Sequence, residues 1–90
     1  MIRATLTIHG RVQGVGYRAN AKRKALQYGL RGYTRNLPDG SVEIVAEGDP
    51  AQIDKLVAWC SHGPTMSHVT KLNVENSPAT GEFRDFNIRR

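Results

Sequence analysis

Residues 31–47 read RGYTRNLPDGSVEIVAE. Two runs suited to extended chain flank Pro38, Asp39 and Gly40, and an Asp-Gly turn between such runs is a strong hairpin signal. In the second run Val42, Ile44 and Ala46 alternate with Glu43, Val45 and Glu47, the period of two of a half-buried strand. A hairpin here decides the fold, because it forbids what the preceding segment invites. Residues 14–19, GVGYRA, match the G-x-G-x-x-A spacing of a dinucleotide-binding turn, after a strand-like run and before a helix-like one. Such a turn needs a next strand that lies parallel and leads into further crossovers. A chain of 90 residues that folds straight back on itself has no room for them. No Walker-type lysine follows the glycines either.

Upstream, Ile2, Ala4, Leu6 and Ile8 alternate with Arg3, Thr5, Thr7 and His9, which predicts a half-buried strand over 2–9. From Tyr17 to Tyr28 the period lengthens. Tyr17, Ala21, Ala25 and Tyr28 share a helical face, Lys22, Arg23 and Lys24 a solvated one, and Gly29 suits a stop. Residues 48–63, GDPAQIDKLVAWCSHG, announce a second helix. Asp49 suits the N-cap, Pro50 the first helical position, and Gln52 can close a capping box. Ile53, Leu56, Val57 and Cys60 form its buried stripe, and Gly63 and Pro64 end it. A fourth strand is expected over 68–75, HVTKLNVE, where Val69 is out of phase with Leu72 and Val74; a bulge or a late start accounts for that. A short last strand in FRDFNIR, 83–89, places Phe86 and Ile88 on one face. The order β-α-β-β-α-β plus a C-terminal strand predicts one α+β domain over 1–90, a ferredoxin-like sandwich. Its sheet is mostly antiparallel, with both helices on one face.

Lys and Arg number 13 against 8 Asp and Glu, a net charge of +5, so an anionic partner is expected. The single cysteine, Cys60, excludes an internal disulfide and falls in a helix's apolar stripe, where it reads as core. No run is long and apolar enough for a membrane span, no leader pattern is visible, and the cytoplasm is the expected location. His9, His62 and His68 form no familiar metal spacing. Arg31-Gly32-Tyr33 begins like an RNA-recognition signature, but Thr34, Arg35 and Asn36 break it. A non-catalytic basic binding module, for RNA or a regulatory partner, therefore stands as the second reading, and a nucleic-acid partner is not the expected one.

The stretch GRVQGVGYR, 10–18, carries the chemistry. Glycines let successive backbone N–H groups turn toward one point and make an anion nest, and a helix N-terminus behind it adds partial positive charge. Arg18 sits at that positive end, a placement that costs about 0.3–1 kcal/mol. An anion in the loop would reverse the sign, since a guanidinium grips a phosphate in bidentate fashion. The same spacing also serves a tight turn with Arg18 in solvent. Asn36, just before Pro-Asp-Gly, is either a second site residue or ordinary turn chemistry.

Taken together, GRVQGVGYR (10–18), YTRNLPDGSVEIVAEGD (33–49), WCSHGP (59–64) and FNIRR (86–90) resemble the acylphosphatase family over nearly the whole chain. The resemblance implies hydrolysis of the carboxyl-phosphate bond of acyl phosphates to a carboxylate and inorganic phosphate, with no metal, no cofactor and no phosphoenzyme. It makes Arg18 the phosphate binder. The backbone of Gln13, Gly14, Val15, Gly16, Tyr17 and Arg18 supplies N–H groups to the phosphoryl oxygens, and Asn36 orients the attacking water. Tyr17 stands at an aromatic position often filled by phenylalanine. Leu37 stands where some relatives carry threonine, so hydroxyl help there is absent. The expected partner is a small-molecule acyl phosphate, with no membrane, and nothing demands more than a monomer. A mixed anhydride has a stable carboxylate as leaving group, so no general acid is needed. An amide positions water without deprotonating it, which leaves positioning and charge stabilisation to do the catalysis.

Overall fold

Alternation in β1 (Ile2–Arg11) puts Ala4, Leu6 and Ile8 wholly inside the molecule. The computed structural model describes residues 1–90, and the elements that follow β1 are α1 (Tyr17–Gln27), β2 (Arg31–Asn36), β3 (Val42–Gly48), α2 (Pro50–Cys60), β4 (His68–Pro78) and β5 (Phe86–Arg89). The five strands form one sheet in the order β4-β1-β3-β2-β5. The β1–β3, β1–β4 and β2–β3 pairs are antiparallel, and β5 alone runs parallel to its neighbour β2. This is the ferredoxin-like order expected from the sequence, with the C-terminal strand added beside β2. Ala21 and Ala25 of α1 and Ile53, Leu56 and Cys60 of α2 close over Val42, Ile44 and Ala46 of β3 in one core.

β3 is more buried than its alternation predicts. Val45 and Glu47, expected on the open face, are also buried; over Glu47 the loop before β5 folds across that face and bonds to the carboxylate through Thr80 and Gly81. A buried carboxylate needs partners. Glu47 accepts from Arg3 Nε at 2.7 Å, from Thr80 N at 3.0 Å and from Gly81 N at 3.0 Å. Burial alone would raise its pKa, but the bonds from Thr80, Arg3 and Gly81 outweigh that and hold it at about 2. Arg3 also pairs with Glu82, so the loop before β5 is pinned to the sheet at the end away from Asn36.

β4 carries the bulge that Val69 called for. His9 pairs with Lys71 and Gly10 with Val69, so Thr70 is the extra residue. The phase shift lets Val69 and Leu72 both pack against the core. The strand also runs on to Pro78 instead of ending near Glu75, with Asn76, Ser77 and Pro78 paired to Ala4, Arg3 and Ile2. Polar residues at a sheet edge gave no alternation to read.

The helix ends follow local chemistry. Leu30 N donates to Ala25 O at 2.8 Å and Gly29 N to Leu26 O at 3.1 Å, with Gly29 at φ +71, the two bonds of a Schellman stop. At the start of α2 the Asp49 carboxylate accepts from Ala51 N at 3.0 Å. Gln52 makes no return bond, so the expected capping box forms on one side only: the cap works through Asp49 alone. No helix is long and apolar enough to cross a membrane.

Candidate active site

Between β1 and α1 the chain turns through Gln13 to Gly16. Gly14 and Gly16 both lie at φ +76. A Cβ at Gly14 would meet nothing within 4 Å, and one at Gly16 only Asn20 Nδ2 at 3.4 Å. The demand for glycine is therefore conformational, worth about 1–2 kcal/mol per residue for any other side chain. The consequence is electrostatic. No backbone N–H from Gln13 through Ala19 donates to a protein acceptor. Gly16 caps α1 without a side-chain bond, and the first turn holds no acid.

Tyr17 fixes where that uncapped end lies. Its ring is buried, 5.3 Å from the Trp59 ring, and its hydroxyl donates to Cys60 O at 2.8 Å. The start of α1 is thereby clamped to the end of α2. Burial raises the Tyr17 phenol well above its ordinary value and pushes the Cys60 thiol up to about 12, so both are neutral near pH 7. Cys60 is a core residue, as its place in the stripe indicated.

Arg18 follows and is half-buried. Its Nη1 donates to Arg89 O at 3.5 Å, so the side chain turns toward β5. Asn36 arrives from the other direction, at the end of β2. Its Oδ1 is buried and accepts from no donor. The hairpin turn beyond it is tied by Leu37 N to Ser41 O at 2.8 Å, Gly40 N to Leu37 O at 3.1 Å, and Ser41 N to Asp39 Oδ1 at 2.9 Å.

One side chain joins the two halves. Gln13 Nε2 donates to Leu37 O and to Ser41 O, both at 2.9 Å. An amide nitrogen has two N–H donors, and here each meets a carbonyl of the turn that holds Asn36. The sequence indicated a backbone role for Gln13; its side chain sets the loop and the hairpin in one frame, a contact between residues far apart in the chain that no local spacing encodes.

Gly14, Gly16, Tyr17, Arg18 and Asn36 line one cavity of about 170 Å³, completed by Val12, Ala19 and Ile88. Val12, Ala19 and Ile88 were not anticipated. Gln13 faces the hairpin, and Val15 packs against the core; neither lines the cavity. No aspartate or glutamate lines it. An uncapped helix start, a guanidinium and a buried amide acceptor thus converge on this one cavity.

Fold and site together define a small α+β protein with a cavity beside a run of backbone N–H groups that have no protein acceptor. The family model for acylphosphatase matches residues 4–88. The chain is 53% identical over 90 residues to the acylphosphatase of Methylococcus capsulatus, covering 100% of this chain and 98% of that one. It is 47% identical over 90 residues to the acylphosphatase of Aeropyrum pernix, covering 99% of this chain and 89% of that one. The crystal structure of acylphosphatase from Bacillus subtilis superposes with a TM-score of 0.96 at 33% identity, with both chains covered at 100%. The chain belongs to the acylphosphatase family. It is a hydrolase acting on acyl phosphates, and these matches do not favour a non-catalytic binding module.

Proposed function

We propose that Arg18 and the backbone N–H groups of residues 13–18 hold the phosphoryl group while Asn36 orients the water that attacks it, with no metal ion and no phosphoenzyme. The observation that carries this is the row of N–H groups from Gln13 to Ala19 without protein acceptors, beside a cavity that Arg18 and Asn36 also line. Water oxygen bonds to phosphorus as the bond from phosphorus to the carboxyl oxygen breaks. The electron pair leaves with the carboxylate, and the water proton passes to a phosphoryl oxygen or to bulk water. Asn36 accepts from the water through Oδ1 or donates to it through Nδ2, and takes no proton. Charge on the equatorial oxygens of a loose transition state meets Arg18 and the N–H groups. A lone buried thiol fits a reducing compartment such as the cytoplasm.

The test is phosphate release from benzoyl phosphate in excess EDTA. The wild type is expected to keep its full rate and Arg18→Ala to approach the spontaneous rate. Loss of activity in EDTA, or an Arg18→Ala variant as fast as wild type, overturns the assignment.

A further inference from the structure

β5 alternates, and its alternation builds a second region next to the phosphate site. Phe86 points into the core and is 1% exposed, while Ile88, on the same face, is 41% exposed and forms part of the cavity wall. Arg90 continues that face one step further out. Arg89 points the other way, its guanidinium 3.9 Å from the centre of the Tyr33 ring, and its carbonyl accepts from Arg18 Nη1 at 3.5 Å. These two contacts fix the end of the chain, and with it the places of Ile88 and Arg90. Arg18, Asn36, Ile88 and Arg90 surround an open recess of about 590 Å³ that shares three of those residues with the phosphate cavity.

No aspartate or glutamate side chain lines either space. The ion pairs of the molecule engage Arg3 and Arg35, and Arg90 takes part in none. Leaving the phosphoryl position, a ligand therefore meets an apolar step at Ile88 and then an uncommitted cation. A methyl or an unsubstituted phenyl group would use only the first. An acyl group that ends in a carboxylate or a second phosphate would use both, because a guanidinium binds either through charge-assisted hydrogen bonds.

We infer that the recess between Ile88 and Arg90 is an acyl-side subsite, and that Arg90 selects acyl phosphates whose acyl part carries a second anionic group. This rests on the reading that places the phosphoryl group against Arg18. A partly exposed pair of this kind is expected to favour the charged substrate about three- to tenfold in kcat/KM.

The experiment compares benzoyl phosphates bearing a carboxylate or a carboxamide at the 3- or 4-position, each rate divided by that of spontaneous hydrolysis to remove the leaving-group effect. The wild type is expected to prefer the carboxylate in at least one isomer. That ratio should fall toward one in Arg90→Gln and invert in Arg90→Glu. Equal values for carboxylate and carboxamide in the wild type overturn the inference, as does a preference that survives Arg90→Gln. If neither compound is hydrolysed above the spontaneous rate, the phosphate-site reading falls with it, which separates the two failures.

Discussion

The two helices begin in opposite ways. Both have 11 residues and both cover the same face of the sheet. α2 starts from Asp49 in an extended conformation, its carboxylate on Ala51 N–H and Pro50 in the first position. α1 starts from Gly16 in the left-handed region, with no cap, no acid in its first turn, and Arg18 where an acid would be favourable. One helix carries its own anion. The other gives up a cap worth about 1 kcal/mol and puts a cation at its positive end besides. Local stability has been relinquished at the one helix start that meets the cavity, and nowhere comparable in α2.

Arg18→Ala breaks this comparison hardest. Removing it takes away a phosphate ligand and a transition-state charge together, so kcat/KM on benzoyl phosphate should fall by about 10³ or more. Thermal stability should hold or rise slightly, because a repulsion with the helix end is relieved. A large drop in Tm would instead make Arg18 a structural residue. Asn36→Ala comes next, with kcat down about 10²–10³ and competitive inhibition by inorganic phosphate retained. Its Oδ1 has no donor to lose, so unfolding in urea should show little change. Loss of phosphate inhibition would contradict a role confined to the water.

Ala19→Glu sharpens the comparison by giving α1 the acid it lacks. Ala19 lines the cavity in the first turn of the helix. A carboxylate there should stabilise the helix start by about 0.3–1 kcal/mol, a few degrees in Tm for a chain of this size. It should also weaken phosphate inhibition, about tenfold, by repelling the anion. A variant that is more stable and binds phosphate as well as the wild type would show that the helix end does not face the ligand.

How much of this was legible follows from what is local. The hairpin at Asp39-Gly40, the faces of both helices and the cap at Asp49 are written in spacings of a few residues, and the structure has them. Arg18 stood out because it breaks a local rule, a cation at a helix's positive end; Asn36 breaks none, being ordinary turn chemistry beside Pro-Asp-Gly, and only the family resemblance gave it a role. The burial of Glu47 was hidden, since it depends on a loop more than thirty residues further along the chain, at Thr80 and Gly81, folding over that face. So was the reach of Gln13 to Leu37 and Ser41. Ile88 and Arg90 read only as the tail of a short strand. They become part of the site because β5 pairs in parallel with β2, setting Ile88 opposite Thr34, near the end of the strand that carries Asn36.

The smallest effect tests the other side of the comparison. Asp49→Ala removes the only side-chain cap of α2 and leaves the Ala51 N–H to water. The expected loss is about 1 kcal/mol, or roughly 4–8 °C in Tm for a domain of 60–100 residues, and Asp49→Asn should recover most of it. Activity is expected to stay within about twofold, since Asp49 lies at the start of α2 while the clamp from Tyr17 to Cys60 O grips its far end. That clamp is the route by which α2 could speak to the site, through the residue that opens α1. If Asp49→Ala slowed turnover as strongly as it lowered Tm, fraying at the start of α2 would be reaching Tyr17. The two helix starts would then be coupled, and the division between a self-capped helix kept for stability and an open one kept for the substrate would fail.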